Sequence, residues 1–289
     1  MLRDMVVAHD TWDSKRVLSL GEQAEADLSI TYFPLKDKVE IELLEMMARA
    51  FVRTAQYAKA RDYFERLLSL FDPVDKHKEH TRTQMRIADM CISVGDVEKA
   101  KVLYNQVYAI GERDGDFEYH SKACLGLSRI EKEEPQEGDG SRTKRKKRLK
   151  KAMALAKQAL IAAELMMDGD YGKERDAAQA IISIIDLSDI TSVHFDETLI
   201  TRLEEFTTAV DATEEGGSSL CVKAAEIQWR REWAMSRWSQ CANACAKTMR
   251  VASQTRFEQN PDVKAFYEKA FQALENLNRL GFVAMAPER

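Results

Sequence analysis

Proline and glycine are scarce, at 5 and 12 of 289 residues. That scarcity excludes a loop-rich sandwich or barrel. No run of about 18 apolar residues exists, so no segment reads as a membrane span. The most apolar stretch, residues 181–190, is broken by Asp186 and Asp189. The first residues, Met-Leu-Arg-Asp-Met, lack the apolar centre of a secretory signal. The five cysteines (91, 124, 221, 241 and 245) are too scattered for a disulfide framework and read as reduced thiols of an intracellular protein. The net charge of −5 gives no overall basic bias toward nucleic acid. What is present is apolar material: 45% of positions are hydrophobic. A chain of this length buries roughly 75% of its unfolded surface, and this composition is too apolar for disorder.

The prolines, at 34, 73, 135, 261 and 287, punctuate segments of helical period. Leu43, Leu44, Met47, Ala48 and Phe51 form one apolar face. After a short break at residues 54–56, Ala60, Phe64, Leu67 and Leu68 form a second. Helices joined by so short a turn pack antiparallel. The pattern then recurs 40 residues on: Ala48 with Ala88, Tyr57 with Val97, Ala60 with Ala100, Phe64 with Tyr104, Leu67 with Val107. Small residues stay small and large ones stay large. The second turn carries Gly95-Asp96, where glycine takes the left-handed conformation. A third copy begins at residues 123–126, with Gly126 38 residues after Ala88, and its second helix resumes at Ala152, Ala156 and Ala159. Two helices per unit of near-constant length spell an all-α fold, antiparallel helix hairpins stacked as a solenoid.

The frame Leu44, Met47-Ala48, Phe51, Tyr57, Ala60, Phe64, Leu67, Asp72-Pro73, then Ile87-Ala88, Gly95, Val97, Ala100, Tyr104 and Val107, resembles the tetratricopeptide repeat (TPR). The usual period there is about 34 residues. The longer period here is similar to the long-helix subtype of kinesin light chains and spindle-orientation scaffolds. On this reading residues 1–289 are a single helical-repeat domain. Residues 13–30 are an unpaired capping helix, 37–130 the clear repeats, 134–151 a charged insertion and 152–212 degenerate repeats. Residues 217–281 are a C-terminal hairpin and capping helix, with 220–255 either one hairpin or one long helix broken near Ser236.

Catalytic signatures are missing. There is no phosphate-cradling glycine loop, and His77 and His80 lack the spacing of a zincin. Cys241 and Cys245 sit one turn apart without a second ligand pair, as buried packing thiols would. The expectation is a protein that is no enzyme and needs no cofactor or metal. The sharpest local anomaly is residues 142–151, eight of ten basic, after a stretch with five acids in residues 131–140. Three readings fit Lys144, Arg145, Lys146, Lys147 and Arg148: a solvated insertion, a nuclear-import signal in an otherwise cytoplasmic protein, or a contact to phosphate backbone or anionic lipid. Trp229, Trp233 and Trp238 cluster within ten residues, interleaved with Arg230, Arg231 and Arg237. They read as core, or as an interface through which the chain docks in a larger complex.

The resemblance implies that the first helix of each pair lines a concave groove. It places Glu42, Glu45, Met46, Arg49, Val52 and Arg53 there in one copy, and Arg82, Met85, Arg86, Asp89, Ile92 and Ser93 in the next. Glu45 and Arg49 stand where chaperone-binding members carry Lys and Asn, so their carboxylate clamp is absent. Arg49, Arg53, Arg82 and Arg86, beside Glu45 and Asp89, suit capture of an acidic or phosphorylated protein segment. Pairing of these arginines with neighbouring carboxylates is the competing reading.

Overall fold

The computed structural model describes residues 2–11, 13–30, 36–72, 75–133, 141–167, 172–191, 198–209, 217–254 and 261–279. They hold thirteen helices and no strand. The chain divides into two units, Met1–Pro135 and Gln136–Arg289. Unit 1 contains α1 (Leu2–Asp10), α2 (Ser14–Ile30), α3 (Lys36–Arg53), α4 (Tyr57–Ser69), α5 (His77–Val94), α6 (Val97–Asp114) and α7 (Phe117–Glu133). Unit 2 contains α8 (Ser141–Leu165), α9 (Lys173–Thr191), α10 (Thr198–Ala209), α11 (Gly217–Ala234), α12 (Trp238–Gln254) and α13 (Pro261–Arg279). In each unit consecutive helices pack as antiparallel hairpins. Close packing between alternate helices joins odd-numbered ones: α1 with α3, α5 with α7, α9 with α11, α11 with α13. The even helices α2, α4 and α6 are bridged at long reach, by Glu25 to Tyr63 and Arg66 and by Glu65 to Lys99. We call this odd-numbered, tighter layer the inner one of the stacked helical-repeat fold. No described helix is long and apolar enough to cross a membrane.

One turn geometry makes the hairpins. At α3–α4 the Gln56 amide donates to the Phe51 carbonyl (2.9 Å) and Ala55 to Val52 (3.0 Å). At α5–α6 Asp96 donates to Cys91 (2.8 Å) and Gly95 to Ile92 (3.1 Å). At α11–α12 Arg237 donates to Glu232 (2.9 Å) and Ser236 to Trp233 (3.0 Å). This nested pair is a Schellman turn, which needs one left-handed residue. Ala55, Gly95 and Ser236 take that place, at φ 57°, 85° and 56°. Residues 220–254 are therefore a hairpin broken at Ser236, and residue 255 lies outside the described residues. Left-handed backbone costs a side-chain-bearing residue about 1–2 kcal/mol. Ala55→Gly should recover about 0.5–1 kcal/mol after its larger unfolded-state entropy is subtracted, readable as a higher denaturation midpoint. Asp13, Asp96 and Asp116 then cap the following helices by accepting from the amides of Arg16, Lys99 and Tyr119.

The repeat positions are core. Ala48, Ala60, Ala88 and Ala100 are wholly buried, as are Phe64, Leu67, Tyr104 and Val107 to within 2%. Ser128, 40 residues after Ala88, holds the next small position and is buried, and Gly126 one half-turn before it is small because a Cβ there would stand 2.3 Å from the Tyr104 ring. Gly111 lets α6 and α7 approach until an added Cβ would lie 2.7 Å from the His120 backbone nitrogen. Ala60→Leu and Ala100→Leu should each overpack such a contact and cost about 1–3 kcal/mol in thermal or chemical unfolding.

Two segments differ from expectation. Residues 14–30 are not an unpaired helix: α1 packs on α2, and Met5, Ala8 and Val17 are buried. Asp13 closes that turn by donating to Ala8 (2.8 Å). Within the 134–151 insertion, 134–140 lie outside the described residues, while 141–151 are the first turns of α8, with Leu149 and Ala152 buried. Gly281 also lies outside the described residues.

Candidate functional site

The inner layer of unit 1 presents a charged wall built on α3, α5 and α7. Helical spacing puts Glu45 and Arg49 one turn apart on α3. One carboxylate oxygen of Glu45, Oε1, accepts from Arg49 Nη2 and from Arg86 Nη1, both at 2.8 Å. Glu45 thus draws guanidinium groups from two neighbouring repeats to one point. Burial pushes its pKa up, but the hydrogen bond from Arg86 and the charges of Arg49 and Arg86 outweigh that and hold it below the ordinary 4.5. The Arg86 guanidinium lies 5.6 Å from the centroid of the buried Phe64 ring, so the wall rests on the repeat core.

Asp89 accepts a 2.5 Å hydrogen bond from the Tyr104 hydroxyl. The residue has substantial accessible area, yet protein crowds its carboxyl. That crowding raises its pKa against the opposing pull of Tyr104, Arg129, Lys122 and Arg86. Tyr104 is pushed well above the usual phenol range by burial and by the Asp89 carboxylate. Lys122 is held by Glu118, and Arg129 contacts Glu133 at 3.4 Å.

The arginines called from sequence divide. Arg49 and Arg86 converge on Glu45. Arg53 turns away and donates to the His9 carbonyl (3.3 Å), tying α3 to α1. Arg82 is exposed and makes no ion pair among the described residues; its charge acts on Tyr119, whose hydroxyl donates to the Lys78 carbonyl. Pairing with a neighbouring carboxylate is therefore real for Arg49 and Arg86. Each still has N–H groups beyond the bond to Glu45, because a guanidinium carries five. The Nε–H of Arg49 is buried and has no acceptor among the described residues. Lys122 and Arg129 were missed by sequence reading, although Arg82 plus 40 is Lys122 and Asp89 plus 40 is Arg129.

The Glu45 cluster sets a pH response. A carboxyl whose folded pKa is depressed adds stability above its unfolded pKa and loses it as pH falls through the folded value. Wild type should therefore lose more stability between about pH 6 and about pH 3 than Glu45→Gln does, in denaturant titrations. Asp89, with a raised pKa, has the opposite sign and is unchanged in that comparison.

In unit 2, Trp229, Trp233 and Trp238 are half-buried and pack on a core of Cys241, Ala242, Cys245, Ala273, Leu274 and Leu277. Trp233 and Trp238 meet edge to face at 5.6 Å. Burial pushes the Cys241 and Cys245 thiols up, which keeps them protonated and unreactive. Among the described residues no group of three or more His, Cys, Asp or Glu is placed to hold a metal. His77 lies 3.7 Å from Asp114 and beside His80 at the start of α5. Lys144, Arg145, Lys146 and Lys147 are exposed on the first turns of α8, followed by the half-buried Arg148.

No protein-family model matches the chain, and no curated protein does. Among solved structures, the apo form of RapI, a helical-repeat protein, superposes over 96% of this chain and 97% of its own, at 11% identity and a TM-score of 0.57. A computationally designed, self-assembling cyclic homo-oligomer aligns over 97% of this chain and 99% of its own at 17% identity, but with a TM-score of 0.16 that bears on nothing. At such identity the likeness to RapI is one of fold: the chain has an all-helical repeat architecture.

Proposed function

We propose that this chain is a non-catalytic protein-interaction scaffold of the long-helix TPR type, which seats an acidic or phosphorylated partner segment along the α3–α5–α7 wall. The observation that carries this reading is the convergence of Arg49 and Arg86 on one oxygen of Glu45. Two guanidinium groups held at a shared point are pre-ordered, so binding an anion there costs less side-chain entropy than ordering two free arginines. Their remaining donors suit the bidentate grip that carboxylates and phosphates take. Lys122 and Arg129 extend the positive wall onto α7, and Asp89 interrupts it. A pull-down with mass spectrometry, comparing wild type with Arg49→Ala/Arg86→Ala, tests the reading: partners captured by wild type should be lost from the double variant. Equal recovery of every partner from both would reject it.

A second reading rests on α8. Four consecutive exposed cations at 144–147 suit a polyanion such as nucleic acid. A log-log salt slope of several units in nucleic-acid binding, lost on neutralising residues 144–148, would select it.

A further inference from the structure

One exposed face of α8 joins a basic half to an apolar half. Along it Lys147, Lys151, Ala154, Gln158, Ile161 and Leu165 recur at steps of four and three residues, and all six are exposed. That alternation keeps them on one side of the helix. At a rise of 1.5 Å per residue the stripe runs about 27 Å. α8 packs on α9, and Leu149, Ala152, Ala156, Ala159 and Ala163 on its other side are buried.

The basic half is not balanced by acids. Lys144, Arg145, Lys146, Lys147 and Lys150 are exposed and make no ion pair among the described residues. No acidic residue occurs in the sequence between Asp139 and Glu164. Glu164, the one acid of α8, is paired with Arg202 of α10. Over residues 134–170 nine basic residues stand against six acidic ones, a net charge of +3. In the apolar half, Ile161 and Leu165 lie one turn apart and are 58% and 56% exposed. Cations alone suit any polyanion. The phosphate track of a nucleic acid is hydrated and has nothing to cover two branched aliphatic side chains. A bilayer with anionic lipid has both parts: charged headgroups for the cations, and acyl chains just beneath for Ile161 and Leu165.

We propose that this stripe of α8 docks the chain on the surface of an anionic membrane. α8 lies along the headgroups without crossing the bilayer. The cations of its first turns pair with lipid phosphates and carboxylates, and Ile161 and Leu165 enter the boundary of the acyl region. Attachment of this kind combines two signals, charge and apolar burial, each weak alone. The surface stands independently of the α3–α5–α7 wall.

The test is co-sedimentation of the full chain with unilamellar vesicles in about 0.15 M salt. Vesicles of phosphatidylcholine with about 30% phosphatidylserine should capture it, and pure phosphatidylcholine should not. Replacing Lys144, Arg145, Lys146 and Lys147 by Gln should weaken capture at least about tenfold, and so should Ile161→Ser with Leu165→Ser. All six side chains are exposed, so both variants should fold as wild type by circular dichroism. Arg49→Ala/Arg86→Ala should be captured as wild type is. Four outcomes would each overturn the proposal: no capture up to about 1 mM lipid, equal capture by the two vesicle types, undiminished capture of either α8 variant, or release of the bound chain by an equimolar DNA duplex.

Discussion

Phe64→Ala should destabilise unit 1 by about 3–5 kcal/mol, the usual cost of removing a buried aromatic ring. Phe64 is 2% exposed on α4 and fills the large position of the first repeat. Its ring also lies under the Arg86 guanidinium. The truncation therefore opens a cavity between repeats and withdraws the support of one wall arginine. Against a total domain stability of roughly 5–15 kcal/mol, that loss consumes much of the margin. Phe64→Leu keeps most of the volume and should cost less than half as much. Equilibrium denaturation followed by circular dichroism checks both. Equal, small effects from the two substitutions would show that Phe64 does not fill the core position assigned to it.

Arg49→Ala/Arg86→Ala should weaken binding to the native partner at least about tenfold, near 1.4 kcal/mol, by calorimetry or interferometry. Each charge-assisted hydrogen bond to a carboxylate or phosphate is worth about 1.5–3 kcal/mol, so one lost bond suffices. The fold should tolerate the change, because both side chains and that of Glu45 are partly solvated, at 30%, 27% and 37%. Glu45, left without its cations, can hydrate. Loss of affinity with only a small fall in melting temperature, that of the lost Glu45 pairing, is the expected signature. Unchanged affinity would shift attention to Trp229, Trp233 and Trp238 of unit 2.

The repeat core was legible because packing demands size at fixed places. Ala48/Ala88, Ala60/Ala100 and Phe64/Tyr104 recur at 40 residues, and each pair is buried. The α11–α12 hairpin was harder to read, since Ser236 rather than glycine takes the left-handed place and the glycine signal of the turn disappears. The pairing of α1 with α2 was missed because a nine-residue helix with two exposed valines, Val6 and Val7, carries a weak apolar pattern. In the wall, sequence register put Arg49, Arg53, Arg82 and Arg86 on facing helices but not on a common target. Which of them meets Glu45 depends on rotamers and on the stagger between α3 and α5. Arg53, one turn beyond Arg49, reaches the α1 carbonyl of His9 instead. Reading the period as columns shows more: Glu42, Arg82, Lys122 and Arg49, Asp89, Arg129 each step by 40 residues. The second column alternates in sign across three repeats, and of its two arginines Arg129 acts on Asp89.

If partners sit on the inner layer of unit 1, they lie within reach of probes on its odd-numbered helices. Photo-crosslinking from single positions tests that placement most directly. A photoreactive residue at Ser93, exposed on α5 beyond Arg86 and Asp89, removes no charge from the wall. One at Val102, 56% exposed on α6, samples the even-numbered layer. A partner adduct should form from position 93 and none from position 102, and the first should be lost when Arg49→Ala/Arg86→Ala is added. Adducts from position 102 alone, or from position 93 unaffected by the double substitution, would contradict the placement.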